Sequence, residues 1–189
     1  MNTSGRPAVF LDRDGVLIPQ RVVNGRLAQA DAGSASDLLP GVSDACQRLH
    51  ENGMLLFVVT NQPDIARGTI ALADVEAVHS WLTERLPIDR VYMCPHDDAD
   101  ACDCRKPRPG MLLTAAREWG VSLRASTMVG DRWRDIEAGQ RAGCATVYIP
   151  RDYGELQPEF FDATAADLAE AAGWILAREA AAGGMQQPR

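Results

Sequence analysis

The chain has 189 residues, of which 46% are hydrophobic and 24% are charged, enough for one soluble domain, or for one domain with a small insertion. Its net charge of −7 argues against a general nucleic-acid or membrane-surface binder, because such proteins need a basic face. No apolar run approaches the roughly 20 residues that span a bilayer, and residues 1–7 lack the apolar core of a secretion signal, so we expect a cytoplasmic protein.

Short apolar runs alternate with segments of helical periodicity along the chain. Because continuous apolar strands separated by helices are typical of parallel sheets, this pattern predicts an α/β fold, a Rossmann-like parallel sheet with helices on both faces. The predicted strands are 8–11, 55–59, 90–93, 126–129 and 145–149, and the predicted helices are 41–52, 75–86, 110–119 and 134–142.

Two stretches are less regular. Residues 18–39 are polar and rich in glycine and alanine, and we interpret them as a long loop near the carboxyl end of the first strand. The alanine-rich chain from residue 163 predicts one helix through Trp174 and Leu176, with fraying over 183–189. We therefore expect a single domain over residues 1–189 with no large cap domain, and a monomer, since the sequence has no heptad repeat.

Polar residues follow the predicted strands at their carboxyl ends, where parallel sheets gather reactive groups. The first strand leads into Asp12-Arg13-Asp14-Gly15, and later strands lead into Thr60-Asn61-Gln62 and Asp131. The only lysine, Lys106, lies in the loop between them. Taken alone, each of these aspartate motifs has an ordinary structural explanation. Asp and Gly favour turns, and Asp131 and Asp135 can cap a helix. Together they predict carboxylates, a hydroxyl and an ammonium at one sheet edge.

Such a group of carboxylates needs a cation, since packed carboxylates raise one another's pKa values unless a positive charge compensates them. Hard oxygen ligands with open positions suit Mg²⁺, which binds through one or two carboxylates and a substrate phosphate. An aspartate beside the ion can attack phosphorus and form an aspartyl-phosphate. Catalysis then depends on positioning and on neutralising the phosphoryl oxygens.

The motifs resemble those of the haloacid dehalogenase superfamily of phosphatases, in the same order and across most of the chain. By this resemblance Asp12 is the nucleophile, and Asp14 is the acid and base that protonates the leaving oxygen and later activates water. Thr60 matches the phosphate-binding hydroxyl, Lys106 the charge-neutralising lysine and Asp131 the magnesium-binding carboxylate.

The resemblance also implies how the magnesium ion is held. Its ligands would be Asp12 and Asp131 through their carboxylates and Asp14 through its backbone carbonyl. Asp135 would support the site more indirectly.

A cluster of cysteines lies in the loop 94–104. Four soft ligands within eleven residues favour a closed tetrahedral zinc site, which would fix the loop that leads into Lys106. A reduced cysteine-rich loop or a redox pair are the alternatives. The predicted zinc ligands are Cys94, His96, Cys102 and Cys104. The other histidines, His50 and His79, lie in predicted helices and are expected to be surface residues rather than ligands.

This pattern resembles a zinc-containing branch of the superfamily that includes the D-glycero-D-manno-heptose-1,7-bisphosphate 7-phosphatases and the histidinol-phosphate phosphatases. The resemblance favours the heptose enzymes and implies substrate contacts by the residues at six positions. These are Thr60, Asn61, Gln62, Arg105, Lys106 and Arg132.

The chain departs from the branch at three places. Pro63-Asp64 replaces a common Ser-Gly pair, and the loop between His96 and Cys102 is short, as in the histidinol-phosphate type. The 18–39 loop, with Gln20, Arg21, Val22 and Val23 in the contact region, matches neither group.

We expect a Mg²⁺- and Zn²⁺-containing phosphatase acting on a small anionic sugar phosphate, with heptose 1,7-bisphosphate favoured over other sugar phosphates and histidinol phosphate. An inactive phosphate-binding scaffold would require a substituted catalytic position. A phosphomutase would require a cap that keeps water from the aspartyl-phosphate.

Overall fold

A computed structural model describes residues 5–23, 26–28 and 37–184, and these residues form eight strands, five α-helices and two short 3-10 helices. The strands are β1 (Ala8–Leu11), β2 (Arg21–Val23), β3 (Arg26–Ala28), β4 (Leu55–Asn61), β5 (Arg90–Cys94), β6 (Thr127–Gly130), β7 (Ala145–Tyr148) and β8 (Ala163–Thr164). The helices are α1 (Val42–Glu51), α2 (Leu72–Thr83), α3 (Gly110–Trp119), α4 (Trp133–Ala142) and α5 (Leu168–Gly184).

Six of the strands form one parallel sheet in the order β5-β4-β1-β6-β7-β8. Strand β1 lies at its centre, where Phe10 pairs with Phe57 on one side and with Met128 on the other. The chain leaves β1 in one direction to β4 and β5 and returns on the other side to β6. Such a reversal of strand order opens a crevice at the carboxyl ends of the strands, where α/β proteins bind ligands.

Apolar side chains alternate between the two faces of the sheet and build two buried clusters. Val9 and Leu11 of β1 point into the cluster that α1, α2 and α5 cover. Ala8 and Phe10 point into the opposite cluster, covered by α3 and the end of α4. The predicted α/β fold with helices on both faces is therefore confirmed. None of the helices within the described residues is long and apolar enough to cross a membrane.

Two expectations from the sequence are wrong. The segment 18–39 is not all loop, because β2 and β3 pair as an antiparallel hairpin within it; residues 24–25 and 29–36 lie outside the described residues. The strand at 145–149 is not the last, because Ala163–Thr164 pairs in parallel with β7, and two residues are too few to show periodicity. The helix predicted from residue 163 is α5, which ends at Gly184; the expected fraying over 183–189 stays a prediction, because residues 185–189 lie outside the described residues.

Close packing of α4 on the sheet predicts that Gly139→Ala lowers the free energy of unfolding by about 1–3 kcal/mol. A Cβ at Gly139 would lie 2.6 Å from Cβ of Met128 and 2.9 Å from Cγ2 of Thr146. Gly173→Ala in α5 is the matched control, because nothing lies within 4 Å of its added Cβ. It should raise stability by about 0.5–1 kcal/mol, as alanine does in a helix. Urea denaturation measures both, and equal stabilisation by the two variants would contradict the packing argument.

Candidate active site

The carboxyl ends of β1, β4 and β6 open into a pocket of about 430 Å³. Most of the polar residues selected from the sequence reach it. Those lining it are Asp12, Asp14, Thr60, Asn61, Arg105, Lys106 and Arg132. Gln62 and Asp131 are buried and contact lining residues, so the structure brings this predicted set together at one edge of the sheet.

Lys106 crosses from its loop to the carboxylate of Asp12. Its Nζ donates to Oδ1 of Asp12 at 2.8 Å and to the Val59 carbonyl at 2.7 Å, and lies 2.5 Å from Oδ1 of Asp135. Burial lowers the pKa of Lys106, but the charges of Asp12 and Asp135 outweigh it and raise the pKa above its usual value. The side chain therefore remains an ammonium ion inside the protein.

Three carboxylates, those of Asp12, Asp131 and Asp135, lie within 4.8 Å of one another. Burial and the neighbouring charge of Asp12 raise the pKa of both Asp131 and Asp135. Oδ1 of Asp131 is buried without a hydrogen-bond partner in the described part of the chain. Hard oxygen donors with excess negative charge and an unpaired buried oxygen fit a divalent cation such as Mg²⁺.

The carboxylate of Asp14 lies outside this group of three and belongs to a second network. Arg13 donates to it from Nε at 3.0 Å and from Nη2 at 3.2 Å. Nε2 of Gln62 donates to Asp14 at 3.2 Å and to Oγ1 of Thr60 at 2.7 Å. Burial raises the pKa of Asp14, although Arg13 opposes the effect. The network links the predicted acid and base to the predicted phosphate-binding hydroxyl.

Arg13 is fully buried, and His79 supports it from α2. Nε2 of His79 lies 3.2 Å from Nη1 of Arg13. Burial and the Arg13 charge lower the pKa of His79 to about 4, so its ring is neutral and accepts this hydrogen bond. His79 is therefore only partly exposed, because one side of α2 faces the active-site residues, and it belongs to neither candidate metal group of the described residues; His50 is exposed as expected.

The arginines at the pocket already have acidic partners. Nε of Arg105 donates to Oδ1 of Asp98 at 2.7 Å. Arg132 donates through Nε to Glu155 at 2.8 Å and makes a second, short bond from Nη2 to the same carboxylate. Arg67 pairs with Asp97 through two bonds of 2.7 Å. The guanidinium groups are thus held at the rim as paired charges.

The four predicted zinc ligands converge on one point. Their sulfur atoms lie 3.2, 3.4 and 3.6 Å apart, and Nδ1 of His96 lies 3.3 Å from Sγ of Cys104 and 3.6 Å from Sγ of Cys94. A tetrahedral zinc ion with bonds of about 2.3 Å would place its sulfur ligands about 3.8 Å apart. All three cysteines are free thiols. The chemistry and spacing of the donors therefore fit zinc.

Comparison with known proteins places this geometry in a family. Residues 21–143 match the haloacid dehalogenase-like hydrolases. The chain belongs to this family. It is 36% identical over 182 residues to the D-glycero-beta-D-manno-heptose-1,7-bisphosphate 7-phosphatase of Escherichia coli K12, covering 90% of this chain and 88% of that protein. The Yersinia pestis enzyme of the same name is 37% identical over 161 residues, covering 79% of this chain and 82% of that protein.

A solved structure extends the likeness to three dimensions. The D,D-heptose 1,7-bisphosphate phosphatase from B. bronchiseptica, complexed with magnesium and phosphate, superposes with a TM-score of 0.77 at 32% identity. The alignment covers 91% of this chain and 99% of that one. This haloacid dehalogenase-like chain is a phosphatase.

Two residues of the phosphatase site were not found from the sequence. Tyr153 and Glu155 lie in the segment after β7 and line the pocket, where Tyr153 donates to Asp131 and Glu155 accepts from Arg132. The sequence marks only the segment, which follows the carboxyl end of a predicted strand, and does not single out these two residues within it. The segment has no recognisable motif, and its contacts with Asp131 and Arg132 are evident only from the folded structure.

Proposed function

We propose that this chain is a magnesium-dependent phosphomonoester hydrolase that acts through an aspartyl-phosphate on Asp12. Its most favoured substrate is D-glycero-D-manno-heptose 1,7-bisphosphate, from which it removes the 7-phosphate. One observation carries the proposal: the Asp12 carboxylate lies at an open pocket, 2.8 Å from a buried ammonium and within 4.8 Å of two further carboxylates.

The carboxylates of Asp12 and Asp131 and the backbone carbonyl of Asp14 would hold Mg²⁺. When bound, the ion offsets the negative charge that these carboxylates and a phosphate bring together. Asp135 has a supporting role, because its carboxylate contacts Nζ of Lys106 at 2.5 Å and accepts from the Arg132 backbone amide at 3.0 Å. It thereby fixes the lysine and the first turn of α4.

Asp12 is the nucleophile. One of its carboxylate oxygens forms a bond to phosphorus while the bond from phosphorus to the sugar oxygen breaks. Lys106 supplies positive charge beside the transferring group, as phosphoryl transfer requires. Thr60 binds a phosphoryl oxygen: its Oγ1 accepts a hydrogen bond from Gln62, which leaves its own hydrogen free to donate.

Asp14 is the acid and base. In the first step it gives a proton to the leaving sugar oxygen, and in the second it takes one from the water that attacks the aspartyl-phosphate. Its raised pKa suits a group that must hold a proton. Arg13 and Gln62 fix the carboxylate at the pocket, so the proton moves at a defined position.

The substrate assignment combines the chemistry of the pocket with the names of the relatives. Asn61, Arg105 and Arg132 line the pocket beyond Asp12 and offer donors to a second phosphate and to sugar hydroxyls. A bisphosphate engages these groups more fully than a monophosphate does. Relatives that share 36% and 37% of residues with this chain are heptose 1,7-bisphosphate phosphatases.

We further propose that Zn²⁺ occupies the Cys94, His96, Cys102 and Cys104 site in a structural role. Cys104 lies two residues before Lys106, so an ion there would fix the start of the segment that carries the ammonium and Arg105. Asn61 holds the other end, since its side chain exchanges two 3.0 Å hydrogen bonds with the Lys106 backbone.

Replacing Asp12 with Asn should reduce phosphate release by about three orders of magnitude or more, because the amide is a far weaker nucleophile. The fold should persist, as measured by thermal unfolding and zinc content. Asp44→Asn, at an exposed position of α1, is the matched control and should retain full activity. Retained turnover in Asp12→Asn would remove Asp12 as the nucleophile.

A phosphate-release panel tests the substrate. It contains both anomers of D-glycero-D-manno-heptose 1,7-bisphosphate, histidinol phosphate and several hexose phosphates. We expect the highest kcat/KM with a heptose bisphosphate, because its second phosphate engages the rim arginines. A higher value with histidinol phosphate or a hexose monophosphate would reassign the substrate while leaving the aspartyl-phosphate chemistry intact.

Loss of zinc should lower the unfolding temperature and raise KM for the substrate. Its effect on magnesium binding should be smaller. Cys102→Ser removes one ligand, and Asp103→Ser, an exposed neighbour in the same loop, is its control. Zinc content, the unfolding temperature and KM are measured for both variants. A zinc-free Cys102→Ser protein with wild-type stability and KM would show that the cluster has no structural role.

A further inference from the structure

The hydroxyl of Tyr153 reaches the carboxylate of Asp131 from the segment after β7. It donates a hydrogen bond of 2.6 Å to Oδ2. The other oxygen, Oδ1, is buried and has no hydrogen-bond partner among the described residues. The two oxygens of the Asp131 carboxylate therefore differ: Oδ2 is fixed by a hydrogen bond within the protein, and Oδ1 remains available to another partner.

Gly15 makes room for this contact. A Cβ on Gly15 would lie 1.8 Å from Oδ2 of Asp131 and 2.7 Å from the Tyr153 hydroxyl oxygen. Its φ of +85° also favours glycine. The bare backbone after Asp14 thus leaves space for the carboxylate and the hydroxyl side by side. Three separate segments, which follow β1, β6 and β7, meet at this hydrogen bond.

We propose that Tyr153 is a positioning residue that fixes the Asp131 carboxylate with Oδ1 directed to the divalent cation. The assignment rests on the proposed magnesium-dependent function. Hydrogen bonds to the outer oxygen of a ligating carboxylate orient the ligand, and their loss typically costs 10–100-fold in metal affinity or activity. Without the hydroxyl, Oδ2 loses this partner in a buried setting and the carboxylate is free to rotate.

The acidic surroundings increase the need for such a partner. Asp12 and Asp135 both lie within 4.8 Å of Asp131, and their charges push its carboxylate away. The ammonium of Lys106 contacts Asp12 and Asp135 directly. Tyr153 provides a neutral donor to Oδ2 of Asp131, so it holds the carboxylate without adding a positive charge that would compete with the cation.

Tyr153→Phe tests the assignment because it removes only the hydroxyl. Tyr148→Phe is the matched control: its hydroxyl donates to Gln157 in the segment after β7, and among the described residues it makes no hydrogen bond to the three carboxylates. The dissociation constant of Mn²⁺ is measured by electron paramagnetic resonance on the zinc-loaded protein without substrate. The Mg²⁺ concentration that half-saturates phosphate release is measured alongside it.

We expect Tyr153→Phe to weaken Mn²⁺ binding and raise the Mg²⁺ requirement by about tenfold, with activity recovered at saturating Mg²⁺. Tyr148→Phe should bind both ions as the wild type does. Unchanged Mn²⁺ affinity in Tyr153→Phe, or an equal loss in Tyr148→Phe, would overturn the positioning role alone. A wild-type protein that binds no Mn²⁺ and needs no divalent ion would overturn the proposed function as well.

Discussion

The buried ion pair between Lys106 and Asp12 is the interaction on which the site depends. An ammonium and several carboxylates are costly to bury, and only their close pairing compensates for the loss of water. Lys106 satisfies this condition with two carboxylates and a backbone carbonyl. Its position is fixed by Asn61 at the end of β4, whose side chain exchanges two hydrogen bonds with the Lys106 backbone. The strand order and the anchoring of the Lys106 loop therefore both maintain the contact between the Lys106 ammonium and the Asp12 carboxylate.

The central site could be predicted from the sequence because the residues that form it directly follow predicted strands. Asp12, Thr60 and Asp131 each lie at the end of a continuous apolar run, and parallel strands bring their carboxyl ends together. The cysteine cluster was visible because its four ligands lie within eleven residues. The hairpin of β2 and β3 was missed because its strands have three residues each, too few to show an alternating pattern.

Residues that act through other side chains were beyond sequence patterns. His79 lies in a helix with an ordinary apolar stripe, and only the fold brings its ring against Arg13. Tyr153 and Glu155 lie in an irregular segment, where neither periodicity nor a motif marks them. Their roles depend on contacts with Asp131 and Arg132, more than 20 residues away in the chain. Long-range contacts of this kind depend on the order of the strands in the sheet, and the sequence pattern alone does not give that order.

The pairing of the rim arginines has a consequence for ligand recognition. Since Arg67, Arg105 and Arg132 each hold a carboxylate, an incoming anion binds by exchange, taking the place of an internal counter-ion. The free energy of binding gained from each contact is the difference between the new ion pair and the ion pair that it replaces. A ligand with a single weakly charged group therefore gains little. A ligand with two dianionic ends displaces several carboxylates at once and gains most. In the proposed function, the rim arginines would therefore select among phosphate esters by their charge before the reaction begins.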